Sequence, residues 1–107
     1  MVVEHRTAQA VTAGEGVERR VLARGGRLMA VEFVFKKDAV GKVHTHPHEQ
    51  VGYIAKGRFI LEIEGRQQEI GPGDTYYVAA NVPHGVVALE DGVIVDVFTP
   101  MREDFLG

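Results

Sequence analysis

Cysteine is absent from the 107 residues, which excludes disulfides, a thiolate nucleophile and any thiolate metal site. A metal held by this chain must therefore sit on nitrogen and oxygen, and the lack of cysteine fits a reducing cytoplasm. No stretch approaches the ~18 uninterrupted apolar residues of a membrane span. The start, Met1 to Ala10, places Glu4, His5 and Arg6 where a signal peptide needs an apolar run. These absences predict a soluble, cytoplasmic protein. An excess of one charge is also missing: the net charge is −3 with both signs interspersed. That leaves no electrostatic footprint for phosphate backbones or anionic lipid, so neither nucleic acid nor a membrane is expected as a partner. No long helical pattern, internal repeat, linker or low-complexity tract is present.

What the chain does have is punctuation. Thirteen glycines and four prolines separate short runs rich in Val, Ile, Phe and Tyr every eight to twelve residues or so, the pattern of an all-β sandwich or barrel. Strands are predicted at Val17 to Ala23, Leu28 to Phe35, Val43 to His46, Gln50 to Ala55, Phe59 to Glu64, Gln67 to Ile70, Thr75 to Val78, Gly85 to Leu89 and Val93 to Phe98. Turn signals lie between them at Gly25-Gly26, Glu64-Gly65, Pro72-Gly73-Asp74 and Asp91-Gly92, the last reading as a hairpin. The length suits a single domain, residues 1–107. Residues 1–16 carry little pattern and read as an N-terminal arm or a strand swapped onto a neighbouring subunit.

Alternation indicates which faces are covered. Phe59, Leu61 and Ile63 share one face of their strand, while Ile60, Glu62 and Glu64 share the other, so that strand is half-solvated. In Val93 to Phe98 both faces are apolar apart from Asp96, on the face of Ile94 and Phe98. Such a strand is expected to be covered on both sides, by the barrel interior and by a second sheet or subunit, which fits a homodimer. Asp96 is either paired with an arginine for structural reasons, wrongly registered, or placed there for chemistry.

The richest segment is His44-Thr45-His46-Pro47-His48-Glu49-Gln50, which holds three of the five histidines. Imidazole is the commonest metal ligand, and His44 and His46, two apart, would project from one face of a strand. Pro47 bends or ends that strand, which takes His48 out of line and favours a supporting or surface role for it. An antiparallel return would bring Gln50 back across the ladder toward the first two histidines. His84, after Pro83, lets a distant segment close the site. Three imidazoles and an amide oxygen are all neutral, so a divalent ion among them keeps its full charge as a Lewis acid.

The run from Gly41 to Gly57, G-K-V-H-T-H-P-H-E-Q-V-G-Y-I-A-K-G, resembles the first cupin motif. Pro72-Gly73-Asp74 with Val82-Pro83-His84 resembles the second. The resemblance implies a double-stranded β-helix, or jelly-roll, barrel holding a metal on His44, His46, Gln50 and His84. Gln50 stands where most cupins have Glu, and Ala88 where the second motif often has Asn. Loss of a carboxylate favours a later or softer borderline ion, leaving nickel, zinc, iron and manganese as candidates. The C-terminal V-I-V-D-V-F-T-P-M-R-E-D-F-L, the G-V-E-R-R-V-L at residues 16–22 and the histidine core resemble the KdgF family of pectin-degradation cupins. Those enzymes take the 4,5-unsaturated uronate monosaccharides left by pectin and alginate lyases to the linear keto form. The resemblance implies catalytic roles for Asp96 and Arg102, with Phe98 and Arg102 contacting the sugar acid. On that reading Asp96, beside a cation and Arg102, stays ionised and moves protons, while the Arg102 fork binds the substrate carboxylate; Arg102 as a mere partner of Glu103 or Asp104 is the plainer alternative. Tyr53, Tyr76 and Tyr77 read as strand packing. A sugar-binding cupin without turnover and a metal-dependent oxygenase or isomerase of another substrate are the rival functions.

Overall fold

The computed structural model describes residues 1–106. Ten strands follow in order: β1 Val11–Gly14, β2 Val17–Gly25, β3 Leu28–Phe35, β4 Val40–His44, β5 Glu49–Lys56, β6 Phe59–Ile63, β7 Arg66–Ile70, β8 Thr75–Val78, β9 His84–Ala88 and β10 Gly92–Thr99. They form two antiparallel sheets, one ordered β1-β2-β3-β10-β5-β8 and the other β4-β9-β6-β7. This is the jelly-roll expected from the sequence, with two sheets packed face to face.

The space between the sheets is filled unevenly. At one end Phe35, Ile54, Phe59, Leu61, Ile70 and Ile94 pack together, with Phe35 and Phe59 meeting edge to face at 5.3 Å between ring centroids. A smaller cluster of Met29, Val31 and Phe98 closes the other end against Met101 and Phe105. Between them lie the buried polar side chains of His46, Gln50, His84 and Asp96. The Glu64-Gly65 turn between β6 and β7 is a two-residue hairpin with φ of 52° and 78°. Both values lie in the left-handed region, which glycine occupies without a Cβ penalty.

Two expectations are corrected. Asp91-Gly92 is no hairpin, because β9 and β10 belong to different sheets. Asp91 instead accepts the Lys37 amide at 2.8 Å, and a Cβ on Gly92 would lie 2.6 Å from Phe59 Cζ, so glycine is there for close packing. The histidine run is likewise a corner between sheets: β4 ends at His44, short of His46, and pairs with β9, whereas β5 lies between β10 and β8. Residues 11–14, within the segment 1–16 read as an arm or swapped strand, form β1 and pair with β2 in this chain. On β10, Ile94, Asp96 and Phe98 point inward as expected, and Val97 is 40% exposed on the outer face, where no second sheet of this chain covers it.

Candidate metal centre

His44 closes β4 and stands opposite His84, the first residue of β9, in the antiparallel register. His46 follows where the chain leaves one sheet for the other. The three imidazoles offer nitrogens that all lie within 4.8 Å of one another, a convergence of the kind that holds a metal ion. Each ring is anchored through Nδ1, which donates to a backbone carbonyl: His44 to Lys42 at 2.8 Å, His46 to His48 at 3.1 Å and His84 to Val82 at 2.8 Å. A carbonyl only accepts, so the proton resides on Nδ1 and Nε2 presents a bare lone pair. Burial, with the charges of Arg102, His84 and His44, lowers the pKa of His46 to about 4, and burial lowers His84 as well. Both rings are therefore free of a competing proton at neutral pH.

Gln50 approaches from the other sheet. It is 4% exposed, and its Nε2 donates to Asp96 Oδ1 at 3.2 Å. That bond spends the amide nitrogen and turns Oε1 away, beside His46. Gln50 Oε1 and His46 Nε2 are both buried without a hydrogen-bond partner. Two bare acceptors enclosed together cost about 1–3 kcal/mol each, and a cation satisfies both at once. The donor set thus fits a divalent ion held by three neutral nitrogens and one amide oxygen. His48 serves this group through its backbone carbonyl; its ring stands 5.3 Å from that of His46, and its own buried Nδ1 is unpartnered.

Asp96 sits on β10, 5% exposed, with Oδ1 accepting from Gln50 and from the Tyr76 hydroxyl at 2.7 Å. Burial drives its pKa up to about 6, opposed by those two hydrogen bonds and by the charge of Arg102. The sequence reading expected a firmly ionised carboxylate. Desolvation outweighs Arg102 in the chain itself and brings Asp96 into the range where a carboxyl exchanges protons near neutrality. Arg102 is 8% exposed and lies over Phe98 and Phe105, with Cζ 5.1 and 4.1 Å from the ring centroids. Its fork is engaged with Asp104, Nε donating to Oδ1 at 3.0 Å and Nη2 to Oδ2 at 2.8 Å. The pairing with Asp104 is the plainer of the two readings of Arg102, and it leaves Nη1 as a free donor edge, so Arg102 keeps part of its donor set.

These groups open into a cavity of about 1040 Å³ between the sheets, lined by His44, Gln50, Tyr76, His84, Asp96 and Phe98. Five basic residues, Arg19, Lys36, Lys37, Lys42 and Arg102, line it against three carboxylates. In a chain of net charge −3 this is a local reversal of sign. It favours an anionic small molecule. Tyr76 is the residue that sequence reasoning passed over, taking it for packing. Its one signal was Gly52, a glycine inside a strand, which faces Tyr76 on β8 and Asp96 on β10 in register.

Residues 31–98 match the family model described as a cupin domain. The chain is 42% identical over 95 residues to the pectin degradation protein KdgF of Dickeya dadantii, covering 87% of this chain and 86% of that protein. Among solved structures, an RmlC-like cupin from Shewanella frigidimarina superposes with a TM-score of 0.93 at 36% identity, covering 97% of this chain and 94% of that one. KdgF from Halomonas sp. does so with a TM-score of 0.93 at 34% identity, covering 98% and 97%. No helix among the described residues is long and apolar enough to cross a membrane.

Proposed function

The chain belongs to the cupin family, and to its KdgF-like members, and from that premise we propose that it is a metal-dependent enzyme. It converts 4,5-unsaturated uronate monosaccharides from pectin or alginate to the linear keto form. The observation that carries this reading is the meeting, at one cavity whose charged lining is mainly basic, of a three-histidine and glutamine donor set, with His46 Nε2 and Gln50 Oε1 unsatisfied, and a buried carboxyl of pKa about 6.

The reaction is an isomerisation. A proton leaves the anomeric hydroxyl, the bond from the anomeric carbon to the ring oxygen breaks to give an aldehyde and an enolate, and one proton returns to carbon as the enolate becomes a ketone. His44, His46, Gln50 and His84 would hold the divalent ion, of which nickel, zinc, iron and manganese are the candidates. When bound, the ion supplies Lewis acidity that stabilises negative charge on substrate oxygen. Asp96 takes and returns the proton. Its Oδ1 is occupied by two donors, so Oδ2 is the oxygen free to do so. The Nη1 edge of Arg102 meets the substrate carboxylate, and Phe98, under that guanidinium, forms the apolar floor. The enzyme works in the cytoplasm on sugar acids already taken up.

It acts as a homodimer. Val51, Tyr53, Tyr77 and Val97 form an exposed apolar strip on the outer face of the six-stranded sheet, at 48%, 48%, 56% and 40% exposure. Val97 pairs with Val51 and Val51 with Tyr77 across three adjacent strands. Val97→Glu should convert the dimer to monomer in sedimentation equilibrium; an unchanged mass removes this face from consideration.

The functional test feeds the protein unsaturated uronate produced by a lyase and follows loss of absorbance from the conjugated double bond. Turnover well above spontaneous ring opening is expected once metal is restored. A rate no faster than the uncatalysed one refutes the assignment, and recovery of bound, unchanged sugar would make the chain a binding protein instead.

A further inference from the structure

Gly52, Tyr76 and Asp96 stand side by side on three neighbouring strands, Asp96 opposite Gly52 and Gly52 opposite Tyr76. Tyr76 and Asp96 are thus two strand spacings apart, about 10 Å across the sheet. A tyrosine spans that gap only by lying over the intervening strand. It does so here: its hydroxyl reaches Asp96 Oδ1 at 2.7 Å. The route exists because residue 52 has no side chain, since a Cβ there would run into the Tyr76 ring and lie 2.5 Å from its hydroxyl. A ring used only for packing would not need its polar end threaded over a glycine onto a buried carboxylate.

We propose that Tyr76 is a positioning residue, which with Gln50 clamps Oδ1 of Asp96 so that Oδ2 faces the reacting sugar, and that Gly52 is the clearance that lets it do so. The proposal rests on the functional reading above. Tyr76 exchanges no atom with substrate; it acts through Asp96. Two donors on one oxygen fix both the rotation of the carboxyl and which oxygen is left for the cavity. One donor, the Gln50 amide at 3.2 Å, leaves the carboxyl free to turn about that contact.

Tyr76→Phe keeps the ring and removes only the hydroxyl. The expected result is a kcat lowered about 10- to 100-fold with KM within about threefold, because binding groups are untouched while the proton-transferring oxygen is misaimed. Gly52→Ala should give a comparable loss with the hydroxyl still in the chain, by displacing the ring. The double variant should be little worse than either single one, since both break the same contact. A readout independent of turnover comes from ¹³C-carboxyl NMR of metal-free, aspartate-labelled protein, with the Asp96 signal assigned by Asp96→Asn. That signal should move in both single variants. A kcat within threefold of the parent in folded Tyr76→Phe, or an unmoved Asp96 signal, overturns the proposal. A parent protein inert toward the lyase product is a different result: it removes the functional reading, and with it the kinetic claim, before any variant is compared.

Discussion

Replacing Gln50 with glutamate, the residue most cupins carry there, should make this protein's stability fall with pH where the parent's does not. The amide nitrogen of Gln50 lies 3.2 Å from Asp96 Oδ1, with both side chains at or below 5% exposure. A carboxylate in its place sets two acceptors at that separation. At an effective dielectric of 20 the repulsion between two unit charges is about 5 kcal/mol, equivalent to about 4 pK units. Asp96 already stands at about 6, so the pair keeps one proton beyond pH 8. Below pH 6 the shared proton forms an O–H···O bond and the variant approaches the parent. The unfolded chain has released both protons by pH 6. Above that pH the folded variant holds one proton more than the unfolded chain, and its stability falls as pH rises. For the parent the corresponding window, from about 3.8 to about 6, is already closed. Between pH 6 and pH 8 the Gln50→Glu protein should therefore lose about 2.7 kcal/mol relative to the parent. Urea titrations of both metal-free proteins across that range measure it, and a saturating divalent ion should compress the difference. Parallel curves from pH 6 to pH 8 would show that residue 50 and Asp96 are not coupled, and the account of the site would fail with them.

Metal content separates the roles of the site residues: after dialysis, His84→Ala should retain far less than one ion per chain, whereas Asp96→Ala should keep its metal and lose most turnover, and loss of metal from the latter would recast Asp96 as structural. His46 titrates at about 4 when folded against 6.5 in the open chain, so the folded protein binds fewer protons in that interval and stability is lost as pH falls through it. Metal-free His46→Gln should escape up to about 3 kcal/mol of that acid loss between pH 6.5 and 4, read as a smaller drop in urea midpoint; an identical drop would contradict the burial argument. Phe59→Ala, at a fully buried position packed on Phe35, should cost about 3–5 kcal/mol in the same assay, and a cost under about 1 kcal/mol would mean that the core collapses around the gap.

Much of the site was legible along the chain, and the reason is local. His44, His46 and Gln50 fall within seven residues, and His84 follows a proline that opens a strand, so residue type and spacing named the donors without knowledge of the strand order. The geometry between them was misread. A short hairpin was expected, while the run turns a corner between two sheets, because β4 finds its partner in β9 and β5 finds its partners in β10 and β8. Asp91-Gly92 failed for the same reason: a turn signal reports local φ/ψ preference, and which sheet each flanking strand joins is settled elsewhere. Tyr76 was invisible because its meaning depends on a glycine 24 positions earlier and an aspartate 20 positions later.

The amino-acid sequence by itself determined that the chain is all-β and that any metal sits on nitrogen and oxygen; its resemblance to the cupin motifs named the four candidate donors. Composition and periodicity carry the first two, and the motifs carry the third. Only the tertiary structure decided that the Gln50 amide donates to Asp96, that burial raises the Asp96 pKa to about 6, and that Arg102 pairs with Asp104 while lining the cavity. Each of these depends on the dielectric surroundings or on a hydrogen-bond partner. Those belong to groups that are distant in the chain, or oriented by packing, and they meet only when the two sheets close.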